Sequence, residues 1–90
     1  MNSVKYKLKY PLDWADEKIT DLEFRRPKGK DLFDLKGDPT PGDLARIASK
    51  LSGKELPIFK EMDVEDFMEV LEIVGNFINP SLKTGNSAGL

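Results

Sequence analysis

Residues 22–32, LEFRRPKGKDL, decide how this chain is read. Leu22 and Phe24 alternate with Glu23 and Arg25, which is the period of two expected of a strand with one buried face. Pro27 cannot donate to a ladder and keeps Arg26 out of helical geometry, so a strand over 18–26 should end there. Lys28, Gly29 and Lys30 then read as a turn, and residues 30–38, KDLFDLKGD, bring Leu32, Phe33 and Leu35 as a short helical stretch closed by Gly37. Arg25, Arg26, Lys28 and Lys30 therefore sit on a connector between strand and helix, not along one recognition helix.

Upstream, Val4, Tyr6, Leu8 and Tyr10 alternate with Lys5, Lys7 and Lys9, a second half-buried strand with its lysines outward. Pro11 is expected to end it, leaving residues 12–18, LDWADEK, as a loop. Two strands this close in sequence should pair as an antiparallel hairpin across that longer loop.

Downstream, residues 40–53, TPGDLARIASKLSG, carry the clearest helix signals in the chain. Thr40 is a good N-cap, Pro41 suits the first helical position, Asp43 is placed as a capping-box partner, and Gly53 fits a left-handed stop. Leu44, Ile47, Ala48 and Leu51 make its apolar stripe. A brief helical turn from Pro57 presents Ile58, Phe59 and Met62. A last helix starts at Asp63, with Glu65 and Asp66 favoured near its N-terminus, and runs to about Asn79, where Pro80 ends it. The expected architecture is α+β, with an N-terminal antiparallel β-hairpin followed by three to four helices. One small domain covers residues 1–79, and residues 80–90 are read as a disordered tail.

Composition narrows the function. The 90 residues are 39% hydrophobic and 33% charged, with a net charge of -2, enough apolar material for one small core. The acidic balance disfavours nucleic acid as a partner. The chain has no cysteine and no histidine, which removes disulfides, thiolate zinc sites, and the usual general base and nitrogen ligand. A nucleophile, base and oxyanion donor cannot be assembled in the ordinary way, so no enzyme, cofactor or metal site is expected. No apolar run approaches the roughly 20 residues needed to span a bilayer, and a soluble protein of a reducing cytoplasm is expected.

Three features of the sequence invite a sharper reading. The basic cluster, extended by Lys5, Lys7 and Lys9, would suit phosphates, but Glu23, Asp31 and Asp34 lie close enough to neutralise it and no aromatic is interleaved for stacking. Residues 43–62 resemble a helix-turn-helix in outline, yet the second helix lacks Arg, Asn or Gln to address bases. Asp63, Asp66 and Glu69 lack the loop spacing and glycine of a calcium site and read as a solvated helix face. The last helix is different. Val64, Phe67, Met68, Val70, Leu71, Ile73, Val74, Phe77 and Ile78 are too many for one narrow stripe, so part of this helix should meet a protein partner or a second copy.

Taken together, LEFRRPKGKDL, the capped helix DLARIASKLSG and the final MDVEDFMEVLEIVGNF resemble the phage tail assembly chaperone family of contractile-tailed phages and prophages, over residues 6–79. The resemblance implies a chaperone in the host bacterial cytoplasm. It would keep the long helical tape measure protein soluble until tail tube subunits polymerise around it, and would be absent from the mature virion. It also implies that a frameshifted longer form recruits tail tube protein through an extension joining near Asn79. On this reading Phe67, Val70, Ile73 and Phe77 are the expected partner-binding residues, Arg25 touches the client, and Arg26 pairs with Asp31. The alternatives are a small phage nucleic-acid-binding regulator and a structural tail or head-completion subunit.

Overall fold

The computed structural model describes residues 3–78. An antiparallel hairpin of β1 (Val4–Trp14) and β2 (Glu17–Phe24) is followed by α1 (Gly29–Leu32), α2 (Pro41–Ser52), α3 (Leu56–Glu61) and α4 (Val64–Ile78). This is the expected α+β hairpin-then-helices architecture. The reading of 80–90 as a disordered tail lies outside the described residues.

The hairpin departs from expectation in two ways. β1 does not stop at Pro11. Pairing runs from Val4 opposite Phe24 to Lys7 opposite Asp21, then resumes with Leu12 opposite Ile19 and ends with Trp14 opposite Glu17. Leu8, Lys9, Tyr10 and Pro11 thus face a single residue of β2, Thr20. Proline has no amide to give a ladder, and an irregularity in the pairing is where a strand accommodates one. The connection is also a tight two-residue turn, because Ala15 (φ 50°) and Asp16 (φ 65°) both occupy left-handed backbone, as a type I′ turn requires. Neither residue is glycine, so the sequence carries no Asn-Gly signal to announce the turn.

The helices follow the capping chemistry. Thr40 Oγ1 accepts from the Asp43 amide at 3.1 Å and Asp43 Oδ2 accepts from the Thr40 amide at 3.0 Å, a reciprocal capping box. Gly53 closes α2 at φ 73° with its amide donating to the Ser49 carbonyl. α1 is a single turn that already takes in Gly29 of the expected turn and ends at Leu32, so the helical stretch expected over residues 30–38 is shorter than its apolar pattern suggests and Phe33 and Leu35 lie beyond it. α4 starts beside Asp63, whose Oδ2 accepts from the Glu65 amide at 2.9 Å.

α2 and α4 pack on each other and on the hairpin, and α3 packs on α2. Leu8, Ile19, Leu22 and Phe24 from the hairpin meet Ile47, Ala48 and Leu51 of α2, Ile58 and Phe59 of α3, and Val70 and Val74 of α4 in one core. The Arg25 amide donates to the Leu51 carbonyl at 3.1 Å, satisfying an acceptor in the last turn of α2 and tying the hairpin exit to it.

Candidate functional site

A buried carboxylate sets where α4 lies. Asp66, in the first turn of α4, has no solvent exposure. Its Oδ1 accepts from the Tyr6 hydroxyl at 2.7 Å and the Lys9 amide at 2.9 Å, and its Oδ2 from the Tyr10 amide at 3.0 Å. Lys9 and Tyr10 belong to the irregular part of β1, so their amides turn from the partner strand to the helix. Burial pushes the Asp66 carboxyl up, but the hydrogen bonds from Lys9, Tyr6 and Tyr10 outweigh it and hold the group below the usual carboxylate range. The same contact, with burial as the larger cause, pushes the Tyr6 phenol up to about 12. Asp66 is therefore an internal anchor, and the expectation that it lies on a solvated acidic face is corrected. Residue pattern alone could not reveal this, because an aspartate in a first helical turn is already explained by the helix terminus.

The RRPKGKD run is a second anchor. Arg25 grips Asp31 with two guanidinium nitrogens, Nη1 to Oδ2 at 2.9 Å and Nη2 to Oδ1 at 3.1 Å, and the Lys28 amide donates to Asp31 Oδ2 at 2.7 Å. The Asp31 side chain is 3% exposed, whereas that of Arg25 is 43% exposed. Arg25 first, and then the Lys28 amide, hold the Asp31 carboxyl down at about 2. The ion pair expected of Arg26 thus belongs to Arg25, since the strand ends at Phe24 and points the Arg25 side chain back over α1. Arg26 instead lies over the Phe77 ring, 6.0 Å from its centroid, and so links the connector to the end of α4.

With α4 held at both ends, an apolar groove of about 490 Å³ opens where α2, α3 and the start of α4 meet. Ala45, Leu56, Phe59, Met62, Val64 and Phe67 line it, and Arg46 and Lys60 supply charge. Arg46 is held by Asp43 at 3.0 Å.

The expected partner-binding residues separate on this frame. Phe67 is half-buried and lines the groove. Val70 has no exposure and packs in the core, so it supports α4 from within rather than facing a partner. Ile73 and Phe77 are half-buried and pack against the core, with Phe77 beneath Arg26. The exposed apolar residues of α4 are instead Val64, 66% exposed, and Met68, 58% exposed. Helical spacing separates the two stripes but does not say which one the hairpin covers. Phe33 stands 87% exposed just beyond α1.

The basic strand face is matched across the hairpin, with Lys5 opposite Glu23 and Lys7 opposite Asp21. Among the described residues no group of three or more carboxylates is placed to hold a metal ion, and no helix is long and apolar enough to cross a membrane.

Compared with known proteins, residues 5–79 match the family model described as phage tail assembly chaperone proteins, E, or 41 or 14. No match was found among curated proteins or among solved structures.

Proposed function

The chain belongs to the phage tail assembly chaperone family, and from that premise we propose that it binds the tape measure protein and keeps it soluble while the tail tube forms. The observation that carries the reading is the open apolar groove between α2, α3 and α4, next to the exposed Val64 and Met68. Apolar surface of this kind, bordered by charge, suits an amphipathic client helix laid in a groove. A role by binding alone needs no catalytic group. The work is done in the host cytoplasm, before the particle is complete. Tail tube protein is a second proposed partner, reached through a longer frameshifted form whose extension joins near Asn79.

Co-expression with the tape measure protein of the same phage tests this. The expected outcome is a long protein that moves into the soluble fraction and co-purifies with this chain, while purified virions lack the chain by mass spectrometry. A tape measure protein that stays insoluble and unbound beside well-folded chaperone refutes the reading. Recovery of the chain in virions supports a structural subunit instead. The regulator alternative has less to stand on, because Arg25 is engaged by Asp31 and Lys5 and Lys7 face acidic partners.

A further inference from the structure

We propose that the groove between α2, α3 and α4 selects an amphipathic helix carrying carboxylates beside its apolar seam, and that Lys60 is the residue that selects it. The inference rests on the chaperone reading and names the chemistry of the client segment. Ala45, Phe59 and Met62 are buried at the base of the groove, Leu56 and Phe67 are half-buried, and Val64 is exposed at the rim. Leu56, Phe59 and Lys60 stand at i, i+3 and i+4 on α3. One face of that helix therefore gives the groove both an apolar wall and a cation.

The two cations that line the groove differ. Arg46 Nη1 is held by Asp43 Oδ1 at 3.0 Å, which neutralises much of its charge within the protomer. Lys60 is exposed and makes no hydrogen bond or ion pair among the described residues.

No carboxylate lines the groove to meet Lys60. Asp43 is taken up by Arg46 and by the Thr40 amide, and Asp63 accepts from the Glu65 amide. Glu61 follows Lys60 on α3 but is turned about 100° away around the helix, outside the lining. On α4 the groove side is Val64 and Phe67, whereas Glu65 faces the Tyr10 hydroxyl on the hairpin side and Glu69 lies one turn beyond it on that same side. The acids of α4 thus border the opposite flank. The complement of an apolar trough with an unpaired lysine at its edge is an apolar seam with a carboxylate beside it.

The test uses the full chain and fluorescently labelled, end-capped peptides of about three heptads with leucine at the seam positions. One carries glutamate along the flanks and a matched one carries lysine. By fluorescence anisotropy the glutamate peptide is expected to bind about tenfold more tightly and to lose affinity as salt rises. Lys60→Glu is expected to reverse the preference while leaving the urea midpoint in place, because Lys60 is exposed and unpaired. Val64→Ser, which removes an exposed apolar contact and adds no charge, should weaken both peptides and leave their ratio unchanged. Equal affinities, a preference for the lysine peptide, binding of neither, or a preference that survives Lys60→Glu overturns the proposal. So does binding indifferent to Val64→Ser, which places the peptide outside the groove. A concentration-dependent dimer that Lys60→Glu dissociates also overturns it, since the groove then belongs to a second copy. Co-expression separates this inference from the reading beneath it. If Lys60→Glu solubilises the tape measure protein as well as the wild-type chain does, the charge selection is overturned and the chaperone role stands. If the wild-type chain fails there, the chaperone role falls on its own, because the peptide assay does not use the client.

Discussion

Replacing Asp66 by asparagine keeps the size of the side chain and removes the acceptor that three donors share. Tyr6, Lys9 and Tyr10 all donate to this carboxylate, at 2.7, 2.9 and 3.0 Å, inside a site with no solvent exposure at Asp66. A hydrogen bond to a charged group contributes about 1.5–3 kcal/mol net, and a stranded buried donor costs about 1–3 kcal/mol. Asparagine retains one carbonyl oxygen, but its amide then points a donor at a donor. Because the donors are partly buried, the low end of these ranges applies, and the expected loss is about 3 kcal/mol. A domain of this size has roughly 5–13 kcal/mol in all. With a urea slope near 1 kcal/mol per molar, the midpoint should fall by about 3 M. Tyr6→Phe alone should cost about 1 kcal/mol, and the double variant should lose less than the sum of the singles, because the two residues share a bond. Equilibrium urea unfolding followed by Trp14 fluorescence and far-UV circular dichroism gives all three values. If Asp66→Asn moved the midpoint by no more than an ordinary surface substitution, within about 0.5 kcal/mol, the anchor argument would be refuted.

Acid should act through two carboxylates. Asp31, at about 2, and Asp66, also lowered, bind protons more weakly folded than unfolded, so their stabilisation is present above the unfolded value near 4 and is lost as pH falls through the folded values. The urea midpoint should stay level from pH 7 to about 5 and drop steadily below it; a level curve down to pH 3 contradicts both assignments. Arg25→Ala should cost about 2 kcal/mol by stranding buried Asp31, against about 0.5 kcal/mol for Arg26→Ala, which loses a contact with Phe77 at an exposed site. Equal losses on thermal or urea unfolding would mean that the pairing is misassigned. Ala15→Asn should stabilise by about 0.5–1 kcal/mol, since asparagine accepts left-handed backbone better than alanine at φ 50°, and a lower melting temperature would contradict the type I′ turn.

Local chemistry determined much of this protein from sequence alone. Thr40, Pro41, Asp43 and Gly53 bound α2 by interactions that lie within a few residues of one another, so their pattern is complete in the sequence. The alternation of Leu22 and Phe24 with charge likewise marked β2, although the strand ends at Phe24, two residues short of the Arg26 expected from Pro27, and the order of hairpin then helices followed. The absence of histidine and cysteine bounded the chemistry before any fold was known. Tertiary structure decided what depends on partners far apart in the chain. β1 continues through Pro11 because pairing with β2 tolerates the irregularity, and that irregularity sends two amides to Asp66, 56 and 57 residues away. Arg25 rather than Arg26 holds Asp31, because the strand's last residue fixes which side chain turns toward α1. On α4 two apolar stripes were legible, yet only packing against the hairpin and α2 could choose which to bury. It buried Val70 and left Val64 and Met68 outside, since a helix presents both faces equally until a neighbour covers one.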